Sequence, residues 1–317
     1  MLYRDGLRRK LTLPACGCNV DLMLKFNREL NAPVGAELRL SPLVSRVLAP
    51  NPGPFTFKGT GVYLVGTNAL AVIDPGPAMT DHLSALQAVI GTRKVSHILI
   101  THSHRDHSPA AAALKAWCGA PVYGLPDHAA PSSEEGAVDE AHDHDFVPDV
   151  MVYDRMRIAG QGFSFECVAT PGHTANHVCY ALKEESALFS GDHVMGWSTS
   201  VVAPPDGDMG RYIASLERLL TRQEDFFYPT HGSPIPEARA WVRQLIAHRR
   251  GREDQILTAL ASSACSAAQL VPRLYPDIVP ALERAAAHQV TAHLLHLAER
   301  NLVGRDGATW RLRSEIP

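Results

Sequence analysis

The chain reads as an α/β protein in which helices cover two packed, mixed β-sheets, followed by a small domain of helices and one hairpin. Three observations lead there. Short apolar, β-branched runs alternate with helix-spaced segments between Ser45 and Arg250. Turn signals such as Gly66-Thr67-Asn68 intervene, so antiparallel pairs accompany parallel ones, which suits two packed sheets better than one doubly wound sheet. Past Gly251 the composition shifts. Helix candidates over Arg252–Ser262, Ser266–Tyr275 and Pro280–Arg300 precede apolar runs flanking Asp306-Gly307, a strong two-residue hairpin signal. Helices closed by such a hairpin describe a winged helix.

Taken in order, residues 1–44 carry the weakest pattern. A short helix is expected over Asp21–Glu29, and the segment is read as an extension packed on the sheets. Strands follow at Ser45–Leu48, Gly61–Val65 and Leu70–Ile73, the last ended by Asp74-Pro75-Gly76-Pro77. Apolar spacing predicts a helix over Thr80–Ile90, with Thr80 as its N-cap. The strand Val95–Ile100 leads into an alanine-rich helix over Asp106–Trp117. Pro126–Asp149 is acidic and irregular. Its run Ala141-His142-Asp143-His144-Asp145 reads as a solvated loop beside a functional site rather than a second metal site. Strands are then expected at Met151–Tyr153, Arg157–Ala159, Phe163–Ala169, Val178–Leu182, Ala187–Ser190 and Phe226–Tyr228. Helices are expected at Met209–Leu220 and Pro236–Arg250. The division is thus an extension (1–44), a catalytic domain (45–250) and a winged-helix domain (251–317).

Composition narrows the function. With 317 residues, 45% hydrophobic and 20% charged, the chain is an ordinary globular protein. A formal net charge of -3 gives no global attraction to nucleic acid or an anionic membrane. No apolar run approaches the roughly 20 residues that span a bilayer. The charged start Met1–Lys10 lacks a following apolar core, so no signal peptide is expected. The 6 cysteines are sparse and irregular, which fits reduced thiols in the cytoplasm, and Cys16-Gly17-Cys18 lacks a second thiol pair for a structural zinc.

The chemistry lies in Thr101-His102-Ser103-His104-Arg105-Asp106-His107, directly after an apolar strand. Imidazoles and a short carboxylate at this density suit zinc, iron, manganese or nickel better than copper(I). Further candidates occupy other strand ends: His173 in Thr170-Pro171-Gly172-His173-Thr174, Asp192 in Ser190-Gly191-Asp192-His193, and His231 in Pro229-Thr230-His231-Gly232. Five histidines and two aspartates are enough for two ions sharing a carboxylate.

The series H-x-H-x-D-H, G-H-T, G-D and H-G resembles the metallo-β-lactamase superfamily, and all four segments stand in order. The resemblance implies an αββα sandwich. It assigns His102, His104 and His173 to one metal, Asp106, His107 and His231 to a second, and Asp192 to a bridge between them. The ions implied are divalent, zinc first, with iron or manganese as alternatives. Antibiotic-hydrolysing members usually carry cysteine where Asp192 stands, so the aspartate argues against lactamase activity. It is closer to hydroxyacylglutathione hydrolases and ribonuclease branches. Pro204-Pro205-Asp206-Gly207 and the terminal winged helix extend the likeness to lactamase-like hydrolases that include a mitochondrial endoribonuclease. Ala110 departs from the glycine common there, without touching a ligand.

Two such ions deliver hydroxide near neutral pH, which Asp106 would orient as well as ligating. Ser103, Tyr63, His177 and His193 are candidates for the surroundings of the site, His193 as a catalytic pocket residue next to Asp192. His97, inside an apolar strand, reads as core. The expected reaction is hydrolysis of a small ester, thioester or lactone; the alternative is cleavage of single-stranded RNA. A purely DNA-binding role is disfavoured by the tail. Residues 251–317 carry seven arginines, no lysine and seven carboxylates, a balance that neutralises few phosphates. The tail reads instead as a wall over the cleft or a contact between two copies. The full chain is therefore expected to bind duplex DNA no tighter than about 10⁻⁴ to 10⁻⁶ M at physiological salt. Fluorescence anisotropy checks this, and tight, strongly salt-dependent binding would contradict it.

Overall fold

The computed structural model describes residues 24–126 and 142–313. Cys16, Cys18 and most of the acidic loop lie outside them, as does the start of the helix expected over Asp21–Glu29. Residues 24–29 are not helical.

One sheet runs in chain order: β1 (Glu37–Arg39), β2 (Val44–Leu48), β3 (Gly61–Val65), β4 (Ala69–Ile73), β5 (Lys94–Leu99), β6 (Val122–Gly124) and β7 (Val150–Met151). Its first four strands pair antiparallel and the rest parallel. Helices α1 (Thr80–Ile90) and α2 (Ala110–Cys118) make the crossovers from β4 to β5 and from β5 to β6. The second sheet contains β8 (Arg157–Gly160), β9 (Phe163–Ala169), β10 (Val178–Leu182), β11 (Ala187–Gly191), β12 (Phe226–Pro229) and β13 (Ile235–Pro236). Its parallel pair, β11 and β12, is joined through α3 (Met209–Leu220).

Period-two alternation sorts each strand's side chains between two layers. Tyr63 and Val65, Ala71 and Ile73 face Phe163, Phe165, Val178 and Tyr180 between the sheets. Their neighbours Val62, Leu64, Leu70 and Val72 pack outward on Leu86, Ile90 and Leu114 of α1 and α2. On the far side, Val168, Cys179 and Leu188 meet Tyr212 and Leu216 of α3 and Val242 and Leu245 of α4 (Ala238–Ser262). The result is the helix–sheet–sheet–helix sandwich that the pattern predicted. Tyr63 belongs to this core rather than to the site. Its hydroxyl donates to the Pro229 carbonyl at 2.6 Å, tying the sheets together, and burial pushes its pKa up to about 12.

Two local expectations are corrected. Thr80 is the first residue inside α1 and Met79 takes the cap position without a side-chain hydrogen bond. The helices expected on either side of Gly251 are one helix, α4, of 25 residues. A mid-helix glycine costs only about 1 kcal/mol. Burial on both sides offsets that cost: Leu245 and Ile246 lie in the sandwich, Ile256 and Leu260 in the C-terminal core.

That core continues through α5 (Ala267–Leu274), α6 (Glu283–Glu299), β14 (Val303–Asp306) and β15 (Thr309–Leu312). Leu270, Val290, Leu294 and Trp310 pack there against Ile256. Ser266 opens α5 with a capping box, its hydroxyl accepting from the Gln269 amide while the Gln269 side chain accepts from the Ser266 amide. Ala292 of α6 reaches into the sandwich core, so the two parts share α4 and a packed face. No described helix is long and apolar enough to cross a membrane. Ending the chain at Arg250 should therefore destabilise what remains. Thermal unfolding is expected to begin at least about 5 °C lower, equivalent to roughly 2 kcal/mol at this size; an unchanged midpoint would contradict the shared core.

Candidate metal centre

The carboxyl ends of β4, β5, β9, β11 and β12 meet at one rim of the sandwich, and the segments leaving them carry the seven predicted residues. They form three groups whose ligand-capable atoms lie within 4.8 Å of one another: His102, His104 and His173; His102, His107 and Asp192; and Asp106, His107 and His231. Asp192 stands between the first and last. Its Oδ2 lies 3.9 Å from His173 Nε2, and its Oδ1 lies 3.6 Å from His107 Nε2 and 3.4 Å from His231 Nε2. Asp106 Oδ2 is 2.9 Å from His231 Nε2 and 3.4 Å from His107 Nε2. Two ligands on a tetrahedral zinc at about 2.05 Å are themselves about 3.3 Å apart, so these separations fit a shared cation.

Electrostatics favours one as well. Burial and neighbouring imidazoles hold His102 and His104 well below the usual range, leaving neutral ligands. Burial also lowers His173, against the pull of Asp192. It opposes charge on the carboxylates, but His107 and His231 outweigh it. Asp106 is held well below the usual carboxylate range and Asp192 at about 2. Burial likewise disfavours charge on His107 and His231, yet Asp106 and Asp192 raise both. The field that draws protons there also favours a divalent cation. His107 Nε2, His173 Nε2, His231 Nε2 and Asp192 Oδ1 are all buried with no hydrogen-bond partner. Donor set, spacing and unsatisfied atoms together fit divalent metal binding.

Each inward-facing Nε2 is aimed through the other ring nitrogen. His107 Nδ1 donates to Asp74 Oδ2 at 2.9 Å, His173 Nδ1 to the Val201 carbonyl at 2.5 Å, and His231 Nδ1 to the Gly59 carbonyl at 3.2 Å. Asp74, fully buried, also accepts from the Thr101 amide and hydroxyl and the Thr230 hydroxyl, at 2.7 to 2.9 Å. It fastens the ends of β4, β5 and β12 to one another. Sequence reasoning read Asp74 only as a strand terminator. The available signal was its position after β4, the parallel neighbour of β5.

The other candidates are placed as follows. Ser103 is buried and its Oγ accepts from Asn176 Nδ2 at 2.9 Å, away from the cavity. His177 Nε2 accepts from the Asp192 amide at 3.2 Å, which leaves Nδ1 to donate to Thr170 Oγ1. It thus positions the Asp192 backbone. Glycine is required just before: Gly191 has φ +52°, and a Cβ there would sit 2.5 Å from His177 Nε2. His193 is fully buried behind Asp192, its ring 4.7 Å from Tyr212, and it does not line the cavity. Burial takes its pKa down to about 3, and both ring nitrogens are without hydrogen bonds. Successive side chains on the extended stretch His102–His104 point oppositely, which turns Ser103 away from the site, whereas His193 lies in a turn closed by its amide on the Ser190 carbonyl. His97 is half-buried against Tyr123 and Phe163.

A cavity of about 610 Å³ opens over the centre, reached by His104, Asp106, His173 and Asp192. Phe55, Met195, Trp197 and Val201 supply apolar wall, and Arg284 and Ala285 of α6 close one side. His142, from the expected solvated loop, lines it too, with Nε2 3.8 Å from Asp206 Oδ2 and its ring 4.9 Å from His104. Asp143 Oδ2 accepts from Ser108 Oγ. Among the described residues, this loop contributes to no ligand group of its own.

Comparison with known proteins agrees with this geometry. Residues 56–231 match the metallo-beta-lactamase superfamily and residues 266–310 the beta-lactamase associated winged helix domain. The lactamase-like protein adaB of Aspergillus niger is 31% identical, covering 88% of this chain and 88% of its own. The atrochrysone carboxyl ACP thioesterase AgnL7 of Paecilomyces divaricatus is 33% identical over 81% of this chain and 76% of its own. Among solved structures, a beta-lactamase domain protein from Burkholderia ambifaria shares the fold, with a TM-score of 0.77 at 20% identity over 90% of this chain and 95% of that one. The chain belongs to the metallo-β-lactamase superfamily, as a hydrolase with the associated winged-helix domain.

Asp74→Asn tests the support of His107. The amide keeps the size but can turn a donor toward His107 Nδ1, and metal affinity or activity is expected to fall about 10- to 100-fold. Competition titration with zinc checks this; unaltered affinity would contradict the role given to Asp74.

Proposed function

We propose that this protein hydrolyses a thioester, or a closely related ester or lactone, of a predominantly apolar acyl group at a dinuclear metal centre. The observation that carries the reading is the convergence of seven ligand-capable side chains at the floor of an apolar-walled cavity. His102, His104 and His173 would hold one ion and Asp106, His107 and His231 the other, with Asp192 shared; zinc fits the nitrogen-rich donor set best. Bound there, divalent ions supply Lewis acidity and lower the pKa of water toward neutrality.

The chain's own residues do the rest. Asp106 and Asp192, held ionised, balance the cationic charge and orient what binds beside them. Phe55, Met195, Trp197 and Val201 receive an acyl chain and exclude bulk water from it. His142 and Asp206 offer polar contacts at the wall. A relative named as an acyl-carrier thioesterase, 33% identical over 81% of the chain, supports the same reaction class. Cleavage of RNA is less well supported. The cavity wall is largely apolar, and the C-terminal domain carries as many carboxylates as arginines, some of them paired with one another: Glu253 pairs with His296 at 2.7 Å and Arg300 at 3.0 Å.

Metal-replete protein assayed on acyl-pantetheine thioesters, aryl esters, lactones and single-stranded RNA should favour the thioesters. An efficiency of at least about 10⁴ M⁻¹s⁻¹ is expected. Asp192→Ala should lower it more than about 100-fold. RNA cleavage without thioester turnover, or a fully active Asp192→Ala variant, would overturn the reading.

A further inference from the structure

The segment Ser200–Val202 lies between the metal centre and the C-terminal helices, and its peptide groups are gripped from both sides. The Val201 carbonyl accepts from His173 Nδ1 at 2.5 Å. The Val202 amide, in the same peptide plane, donates to Gln289 Oε1 of α6 at 3.1 Å. In a trans peptide the C=O and the following N–H point in opposite directions, so Gln289 and His173 hold opposite edges of one rigid plate. The preceding carbonyl, of Ser200, accepts from Arg249 Nη2 of α4 at 2.5 Å. Ser200 Oγ in turn donates its one proton to the Asp192 carbonyl at 2.5 Å, with the His193 carbonyl also in reach at 3.0 Å. Gln289 and Arg249 are buried, at 7% and 2% exposure, which makes these contacts dry and directional.

We propose that Gln289, on a helix of the C-terminal domain, is a positioning residue for His173, fixing the Val201–Val202 peptide so that its carbonyl sets the direction of the imidazole. Rotation of that plate would turn the carbonyl away from Nδ1 and release His173 Nε2 from its aim at Asp192. Arg249 holds the adjoining peptide from α4. The winged-helix part thereby reaches the metal centre through a chain of hydrogen bonds as well as through the cavity wall.

The proposal rests on His173 being a metal ligand, and one titration separates the two statements. Metal-stripped full-length chains are titrated with zinc against a chromophoric chelator, and their metal-free melting points are recorded. Gln289→Met keeps an unbranched side chain of similar size and removes the acceptor. It is expected to weaken one zinc equivalent about tenfold while the other stays at the wild-type value. Gln289→Glu keeps an acceptor oxygen for the Val202 amide and exchanges Nε2, which has no hydrogen-bond partner, for a second, anionic oxygen, so it should bind both equivalents at least as tightly as the wild type does. Wild-type zinc binding in Gln289→Met overturns the proposal, and so does equal weakening in both variants. A lower melting point without weaker zinc binding also overturns it, since that marks packing alone. A wild-type chain that takes up no zinc removes the ligand role of His173 and the proposal with it.

Discussion

Imidazole nitrogens and a carboxylate oxygen, belonging to His107, His173, His231 and Asp192, are buried against one another without hydrogen bonds. Each such atom costs about 1 to 3 kcal/mol of desolvation when nothing satisfies it. The rest of the molecule keeps these atoms there nonetheless. Strand ends from both sheets converge on the rim, and Asp74, itself at the end of β4, accepts donors from the ends of two others, β5 and β12. The cost is a coordination site's cost, which a bound cation reverses. These side chains follow buried strands, and the second nitrogens of His107, His173 and His231 are committed to Asp74 or to carbonyls.

Much of this was legible in the chain itself. The ligand series stood out because short polar clusters follow apolar runs, and a strand end is where a side chain can be held still. The strands Gly61–Val65, Phe163–Ala169 and Val178–Leu182 and the helices Thr80–Ile90 and Met209–Leu220 fall where the periodicity placed them. What was not legible depended on tertiary pairing. Asp74 looks like a turn residue until β4 and β5 are seen side by side, 27 positions separating it from Thr101. Ser103 and His193 drew attention by standing next to candidate ligands in sequence, and only the folded chain shows that both side chains point away from the cavity. Gly251 looked like a boundary because the composition shifts past it, whereas cores at both ends of α4 hold the helix continuous.

The C-terminal part is consequently less a separate module than its composition implied. Its carboxylates and cations are partly spent on one another: Glu253 is buried at 3% exposure among His293, His296 and Arg300. Arg252 lies 4.2 Å from the Tyr275 ring centre and donates to the Leu274 carbonyl. Charges used in this way help hold α4, α5 and α6 together. The same helices supply Arg284 and Ala285 to the cavity and Gln289 and Arg249 to the segment behind His173.

The central claim is that two metal ions share Asp192. Anomalous diffraction from crystals grown with zinc tests it most directly. The account predicts two peaks per chain, one among His102, His104 and His173, the other among Asp106, His107 and His231, with the Asp192 carboxylate between them. A single peak, or peaks away from these residues, would contradict it.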